Sequence, residues 1–199
     1  MHLRIYIDRR GETDYCRNIS QVLKEIYDWY GQAEILLGEK YEVKTDPGNI
    51  FRLPDIYRLQ IRSFGELLEK YQDYETNPGA EKIERIYERF QQSETDYWMI
   101  KLNEEIIGAV RVCDFGTLCK LKQIFILPEF QNKGYAQDTI NAVEALYPKA
   151  IRWELDTILQ EKKLCHLYEK MNYTRTGKIE NIKKGWTWFF MRKVYLTKF

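Results

Sequence analysis

Gln131-Asn132-Lys133-Gly134-Tyr135-Ala136 stands between an apolar run, Ile124 to Leu127, and a segment with helical periodicity. The chemistry such a loop could do is anion binding. A loop that opens a helix presents amides with no partner inside the helix, and the aligned peptides place about half a positive charge there. Gly134 has no Cβ, so an anion can come close to the backbone, and Lys133 adds a point charge. Together these features suit a pyrophosphate held without a metal. Taken alone, a single glycine favours the plainer reading, an ordinary strand-to-helix connection.

Other chemistry is thinly represented. The chain has two histidines, His2 and His166, and four cysteines, Cys16, Cys113, Cys119 and Cys165. None of the cysteines forms a Cys-x-x-Cys pair, so no metal site is expected. So few histidines also argue against a Ser-His-Asp or Cys-His hydrolase. The loop lacks the Gly-x-x-x-x-Gly-Lys-Ser/Thr spacing of phosphate-loop nucleotide binders. Lys and Arg number 31 against 30 Asp and Glu, a net charge of +1, which calls for neither nucleic acid nor an anionic membrane as partner. No apolar run approaches the roughly 18 residues of a membrane span. The first residues carry no export pattern, and scattered cysteines fit a reducing compartment. A cytoplasmic location is the expectation. The length, 199 residues, suits one domain or one domain with an appendage.

The elements around the loop follow from periodicity. Leu3 to Ile7 reads as a strand, and Ser20 as the cap of a helix carrying Val22, Leu23, Ile26 and Tyr30. Residues 39–43 read as a further strand, and Thr45 to Asn49 as a loop. Pro54 opens a helix to about Tyr71, with Leu59, Phe64, Leu67, Leu68 and Tyr71 on one face. Asn77 and Pro78 read as the cap and first turn of a helix bearing Ile83, Ile86, Tyr87 and Phe90. Three strands in successive hairpins follow, over 96–102, 106–115 and 119–127, the last with Leu121 and Phe125 on one face. A helix from Tyr135 to Tyr147, a strand over 150–158, a helix over 159–171 and a closing hairpin around Lys183, Lys184 and Gly185 complete the order. The fold class is α/β: a mixed, mostly antiparallel sheet flanked by helices.

In this setting "LPEFQNKGYAQDTI" resembles motif A of the GCN5-related N-acetyltransferase (GNAT) superfamily, whose loop reads Gln/Arg-x-x-Gly-x-Gly/Ala. Gln131, Gly134 and Ala136 fall on its three fixed places. "LYEKMNY" from Leu167 resembles the family's later Tyr-Glu-Lys segment, and "LLEKYQDYETNPGAE" and "EEIIGAVRV" are similar to its first helices and second hairpin. The resemblance spans about Tyr41 to Tyr195. It implies an acyl-CoA N-acyltransferase-like fold over 41–199; residues 1–40 lie outside it and read as a βα appendage that caps the site or makes a homodimer contact. It implies acetyl-CoA as co-substrate, no metal, and direct transfer to an amine through a tetrahedral intermediate. The acceptor would be a small-molecule amine or a protein amine. The backbone of Ile124, Phe125 and Ile126 would bond the pantetheine, with an amide near Ile126 polarising the thioester carbonyl. The amides of Gln131, Asn132, Lys133, Gly134, Tyr135 and Ala136 would hold the pyrophosphate.

The same resemblance makes Tyr168 the general acid for the leaving thiolate, although its place on a stripe with Leu164, Leu167 and Met171 also suits a core residue. Asn172 replaces the family's glycine at a left-handed helix end. Glu161 replaces an asparagine that contacts the cofactor, and a carboxylate cannot donate as an amide does. Members often carry a Glu or His base on the strand before motif A, where this chain has Lys120, Lys122 and Gln123. Asp156 and Glu154, alternating on the next strand, are the substitute candidates, with Asp114 third. Their plainer reading is a solvated strand face. Trp153, Trp186 and Trp188 are candidates for an acceptor pocket, and Lys183 and Lys184 for contact with an acidic acceptor. The missing base also leaves open a non-catalytic acyl-CoA binding or sensing module on the same fold.

Overall fold

Helices and strands alternate along the chain in the order that the apolar periodicity predicts. The computed structural model describes residues 43–47, 53–103, 105–183 and 186–195. They form β1 (Val43–Pro47), α1 (Leu53–Tyr71), α2 (Ile83–Phe90), β2 (Thr95–Leu102), β3 (Glu105–Asp114), β4 (Leu118–Ile126), α3 (Tyr135–Leu146), β5 (Arg152–Ile158), α4 (Lys162–Lys170), β6 (Thr174–Lys183) and β7 (Trp186–Val194). The strand expected at Leu3–Ile7 and the helix from Ser20 lie outside the described residues. Seven strands form one sheet in the order β1-β2-β3-β4-β5-β7-β6. Every neighbouring pair is antiparallel except β4 and β5, which run parallel.

Helices cover the sheet on both sides. On one side α1 and α2 bury Leu53, Ile56 and Ile86 against Tyr97, Met99, Ala109 and Phe125. On the other, α3 and α4 bury Ile140, Val143, Tyr168 and Met171 against Trp98, Val110, Leu121, Trp153 and Leu155. Tyr147 anchors this second layer: Trp98 Nε1 donates to its hydroxyl at 2.8 Å, and the hydroxyl donates to Asp96 at 2.8 Å. Glu144 of α3, also buried, accepts from Tyr173 at 2.8 Å and from Lys193 at 2.6 Å, which fixes α3 to the end of β7. Among the described residues no helix is long and apolar enough to cross a membrane.

Four local expectations change. Thr45 to Pro47 belong to β1 rather than to a loop. In the sheet order β1 is an edge strand, where a proline costs no ladder bond. Asn77 caps a separate turn, Pro78–Ala80, by accepting from Gly79 N at 2.7 Å, and α2 begins only at Ile83. The buried stripe of α1 is Leu53, Ile56 and Gln60, with Phe64 packed beside it. Finally, Leu121 and Phe125 face opposite sides of the sheet. The cause is a bulge: Val112 pairs with Leu121 and Arg111 with Gln123, so Lys122 is the extra residue. One extra residue reverses the facing of everything beyond it and sharpens the local twist.

Gly108 of β3 pairs with Ile126, at the end of β4. A Cβ there would lie 2.1 Å from Phe125 O and 3.0 Å from Ile126 Cα. The strands therefore approach closely only because this residue is glycine. Gly108→Ala should push β4 away and lower stability by about 1–3 kcal/mol, the usual range for overpacking. Urea denaturation checks this, and an unchanged midpoint would show that β4 has room to move.

Candidate active site

The parallel pair β4–β5 is short. Its register runs from Leu118–Arg152 to Leu121–Leu155 and then stops, although β4 continues to Ile126. Beyond Leu121, among the described residues, the edge of β4 that faced β5 has no strand beside it. Leu127 N donates to Ile107 O at 2.8 Å. Since backbone groups alternate along a strand, Phe125 also bonds toward β3, while Ile124 and Ile126 point their amides and carbonyls into the gap. Of the three residues expected to present backbone there, Ile124 and Ile126 do so. Phe125 instead sends its side chain under α1, where its ring lies 5.7 Å from that of Phe64.

The loop after β4 closes one end of this gap. Gln131 N donates to Pro128 O at 3.2 Å, and Gln131 Nε2 donates to Ile126 O at 2.8 Å. Gln131 is thus a brace between loop and strand, and its amide is already used. Asn132 and Gly134 take the left-handed conformation, with φ of 61° and 90°. Gly134 is the N-cap residue of α3, and no side chain caps that end. Among the described residues, the amides of Asn132, Lys133, Gly134 and Ala136 donate to no backbone carbonyl. Left-handed residues alternating with others aim successive amides into one concavity, which receives anions. Lys133 Nζ lies over the Phe130 ring at 5.4 Å. Tyr135 and Ala136 pack against Ile126 with Ile100 and Ile107, which holds the loop against the strand end.

Where β4 and β5 part, the next residues on each strand are Lys122 and Asp156. The bulge turns Lys122 toward β5, and its Nζ meets Asp156 Oδ1 at 2.8 Å. One pair back, Glu154 is approached by Lys120 at 3.8 Å and by Arg152 at 3.2 Å. Both candidate carboxylates are therefore ion-paired rather than simply solvated. Asp114 accepts from Gly116 N at 2.8 Å in its own turn.

Tyr168 rises from α4 on the other side of the sheet and is only 7% exposed. Its ring meets that of Tyr173 at 6.1 Å. Among the described residues nothing hydrogen-bonds its hydroxyl. Burial, and then the charge of Asp156, push its pKa well above the ordinary tyrosine value. The group is a phenol, not a phenolate, at neutral pH, so it holds a proton to give. Trp153 is wholly buried on that side and belongs to the core, not to an acceptor pocket. Trp188 is half-buried on β7. The side chains of Trp186, Lys183 and Lys184 lie outside what is described.

Three residues escape a reading by motif alone. Lys122 is one, although its signal is present: Lys122-Gln123 interrupts the strand's alternation with two polar residues in a row. The other two are Lys70 and Tyr71 at the end of α1. Both donate to Glu161 at the start of α4, Lys70 at 2.6 Å. Burial works to raise the Glu161 pKa, but these bonds outweigh it and hold the carboxyl below its usual range. Glu161, standing where the family has asparagine, thus joins α1 to α4.

A fold with one short parallel pair, a splayed strand and an anion-ready loop at a helix start defines the acyl-CoA-binding class. The acetyltransferase (GNAT) family model matches residues 53–173, more than half of the chain, and the chain belongs to that family. Its fold is that of solved acetyltransferases. The ribosomal-protein-S18-alanine N-acetyltransferase from Escherichia coli superposes with a TM-score of 0.63 at 12% identity, covering 79% of this chain and 96% of that one. A ribosomal L7/L12 alpha-N-protein acetyltransferase in complex with coenzyme A gives 0.63 at 10%, covering 77% and 94%. The spermidine N-acetyltransferase from Vibrio cholerae, in complex with CoA and spermine, gives 0.61 at 18%, covering 76% and 95%. No curated protein sequence matches the chain.

The Glu161 contacts predict a pH dependence. Because the folded pKa lies below the ordinary 4.5, the stabilisation is present above that value and is lost as pH falls through the folded pKa. Glu161→Gln should therefore melt below wild type at neutral pH, and the difference should shrink once the pH is well under 4.5. Thermal melts across that range check it. Equal melting temperatures throughout would mean that the contacts contribute nothing.

Proposed function

We propose that this chain is an acetyl-CoA-dependent N-acetyltransferase that moves the acetyl group directly from the thioester to a primary amine. The observation that carries the reading is the gap between β4 and β5, where the Ile124 and Ile126 amides face out and the loop amides stand at its end. Acetyl-CoA supplies an activated acyl group as a thioester. The residues present fit it: Ile124 and Ile126 offer strand-like backbone bonds to a pantetheine arm. The free amides of Asn132, Lys133, Gly134 and Ala136, with the start of α3, suit a pyrophosphate.

In this reading a gap-facing amide of β4 donates to the carbonyl oxygen as it gains charge, which favours attack at the carbonyl carbon. The neutral amine nitrogen forms the new C–N bond, the C–S bond breaks, Tyr168 gives its proton to the departing sulfur, and the extra proton then left on nitrogen restores the Tyr168 phenol. The amine must first lose a proton, at a cost of about 4 kcal/mol for a group of pKa about 10 at neutral pH. Asp156 and Glu154 are the candidate acceptors of that proton. Lys122 holds the Asp156 carboxylate at the fork of the two strands through a 2.8 Å contact, and a base needs such a fixed position. The reaction sits where α1, α4 and the sheet meet, consistent with either a small amine or a protein amine as acceptor.

Removing the Tyr168 hydroxyl separates chemistry from binding. Tyr168→Phe should lower kcat by roughly 10²–10³, the usual contribution of a positioned acid, and leave the Kd for acetyl-CoA nearly unchanged. The melting temperature should also hold, because the hydroxyl has no hydrogen-bond partner to lose. Calorimetric titration and a thiol-release assay measure the two. Full turnover by the variant would remove Tyr168 from the mechanism. Binding of acetyl-CoA without thiol release against any amine would point to a sensing module.

A further inference from the structure

On the side of the sheet covered by α1 and α2, buried charges do not balance. Arg89 and Glu81 close on each other through two contacts, one of 2.7 Å, with each side chain 14% exposed. Gln60, wholly buried, spends its amide on Glu81 at 3.0 Å and on Pro78 O at 2.9 Å. Arg111 is 8% exposed. Its guanidinium donates to Gln123 Oε1 at 3.1 Å and lies 4.0 Å from Cys113 Sγ. Among the described residues no carboxylate pairs with it, so two guanidiniums share Glu81. An arginine does not shed its charge, and an unpaired buried charge is costly.

Two hydroxyls are buried on this side without a well-formed hydrogen bond. Tyr97, 2% exposed, faces both guanidiniums, and its hydroxyl makes no hydrogen bond of normal geometry. Ser63, one turn beyond Gln60 on α1, also has a buried hydroxyl without a partner. A buried cation with a tyrosine hydroxyl beside it is what a carboxylate would satisfy.

We propose that the acceptor is a small amine that carries a carboxylate, and that Arg111 receives it with the Tyr97 hydroxyl beside it. This rests on the acetyltransferase reading above. One unmatched positive charge fits a monoanion and repels a polyamine. The position also fits. Gln123, which Arg111 holds, directly precedes Ile124, whose amide faces the gap. At about 3.3 Å per strand residue, an anion at Arg111 leaves the other end of a short molecule near the thioester site.

The test is thiol release from acetyl-CoA over matched primary amines, each amino carboxylate of increasing chain length beside its carboxamide. Wild type should prefer the carboxylate member by about tenfold or more in kcat/KM. Arg111→Met should erase that preference mainly through KM, and Arg111→Lys should keep part of it. Because Arg111→Met removes an unpaired buried charge, it should melt no lower than wild type. A purely structural arginine would behave oppositely, with a lower melting temperature and an intact preference. A ratio near one in wild type, or a ratio unchanged in Arg111→Met, overturns the proposal. If no amine is acetylated, CoA-saturated protein titrated with the same carboxylates still decides. A thermal shift in wild type that Arg111→Met and Arg111→Lys weaken upholds the site while the transfer reading falls, and no shift in wild type overturns the site.

Discussion

Everything proposed for this protein depends on β4 leaving β5 after the Leu121–Leu155 pair. Parallel strands normally stay paired for as long as both continue, because each unpaired backbone group forfeits a hydrogen bond. Here several features hold the separation. The bulge at Lys122 adds twist at the point of parting. Gly108 lets β3 draw in the end of β4. Gln131 satisfies the Ile126 carbonyl with a side-chain amide. What remains unmet is a short row of backbone donors beside a helix start, and an extended ligand with an anionic end matches that row.

The electrostatics around the gap follow from which groups are buried with partners and which without. Glu144, Glu81 and Glu161 are held by cations: the first ties α3 to β7, the second braces the turn before α2, and the third joins α4 to α1. Asp156 is held by Lys122 at the fork, and its charge helps to keep the Tyr168 proton in place. A neutral phenol and a carboxylate thus lie within electrostatic reach of each other, the pair of group types that one proton donation and one proton removal require. Arg111 is the exception, a buried cation that no carboxylate contacts among the described residues.

Much of this was legible in the sequence because it is local. The bounds of α1, α3 and β5 follow from apolar spacing, and Gly134 announces the turn into α3 through the one conformation glycine takes freely. The order of hairpins and helices gives the mixed, mostly antiparallel sheet. What was not legible is long-range. Arg111, set between Val110 and Val112, alternates like a residue facing solvent, and only the packing of α1 and α2 buries it. Glu161 looks like a lost cofactor ligand until its bonds to Lys70 and Tyr71, some ninety positions earlier, come into view. The facing of Leu121 and Phe125 depends on the bulge, which alternation alone does not place. Trp153 reads equally well as pocket or core, because a strand tryptophan looks the same on either face.

The account's central claim is that the unpaired edge of β4 and the loop before α3 are one binding surface for acetyl-CoA. Amide hydrogen exchange, read residue by residue with and without acetyl-CoA, tests it most directly. The account predicts added protection at Ile124 and Ile126 and at the loop amides from Asn132 to Ala136, with Phe125, already bonded toward β3, unchanged. Protection elsewhere with none at these amides, or no change on adding acetyl-CoA, would contradict it.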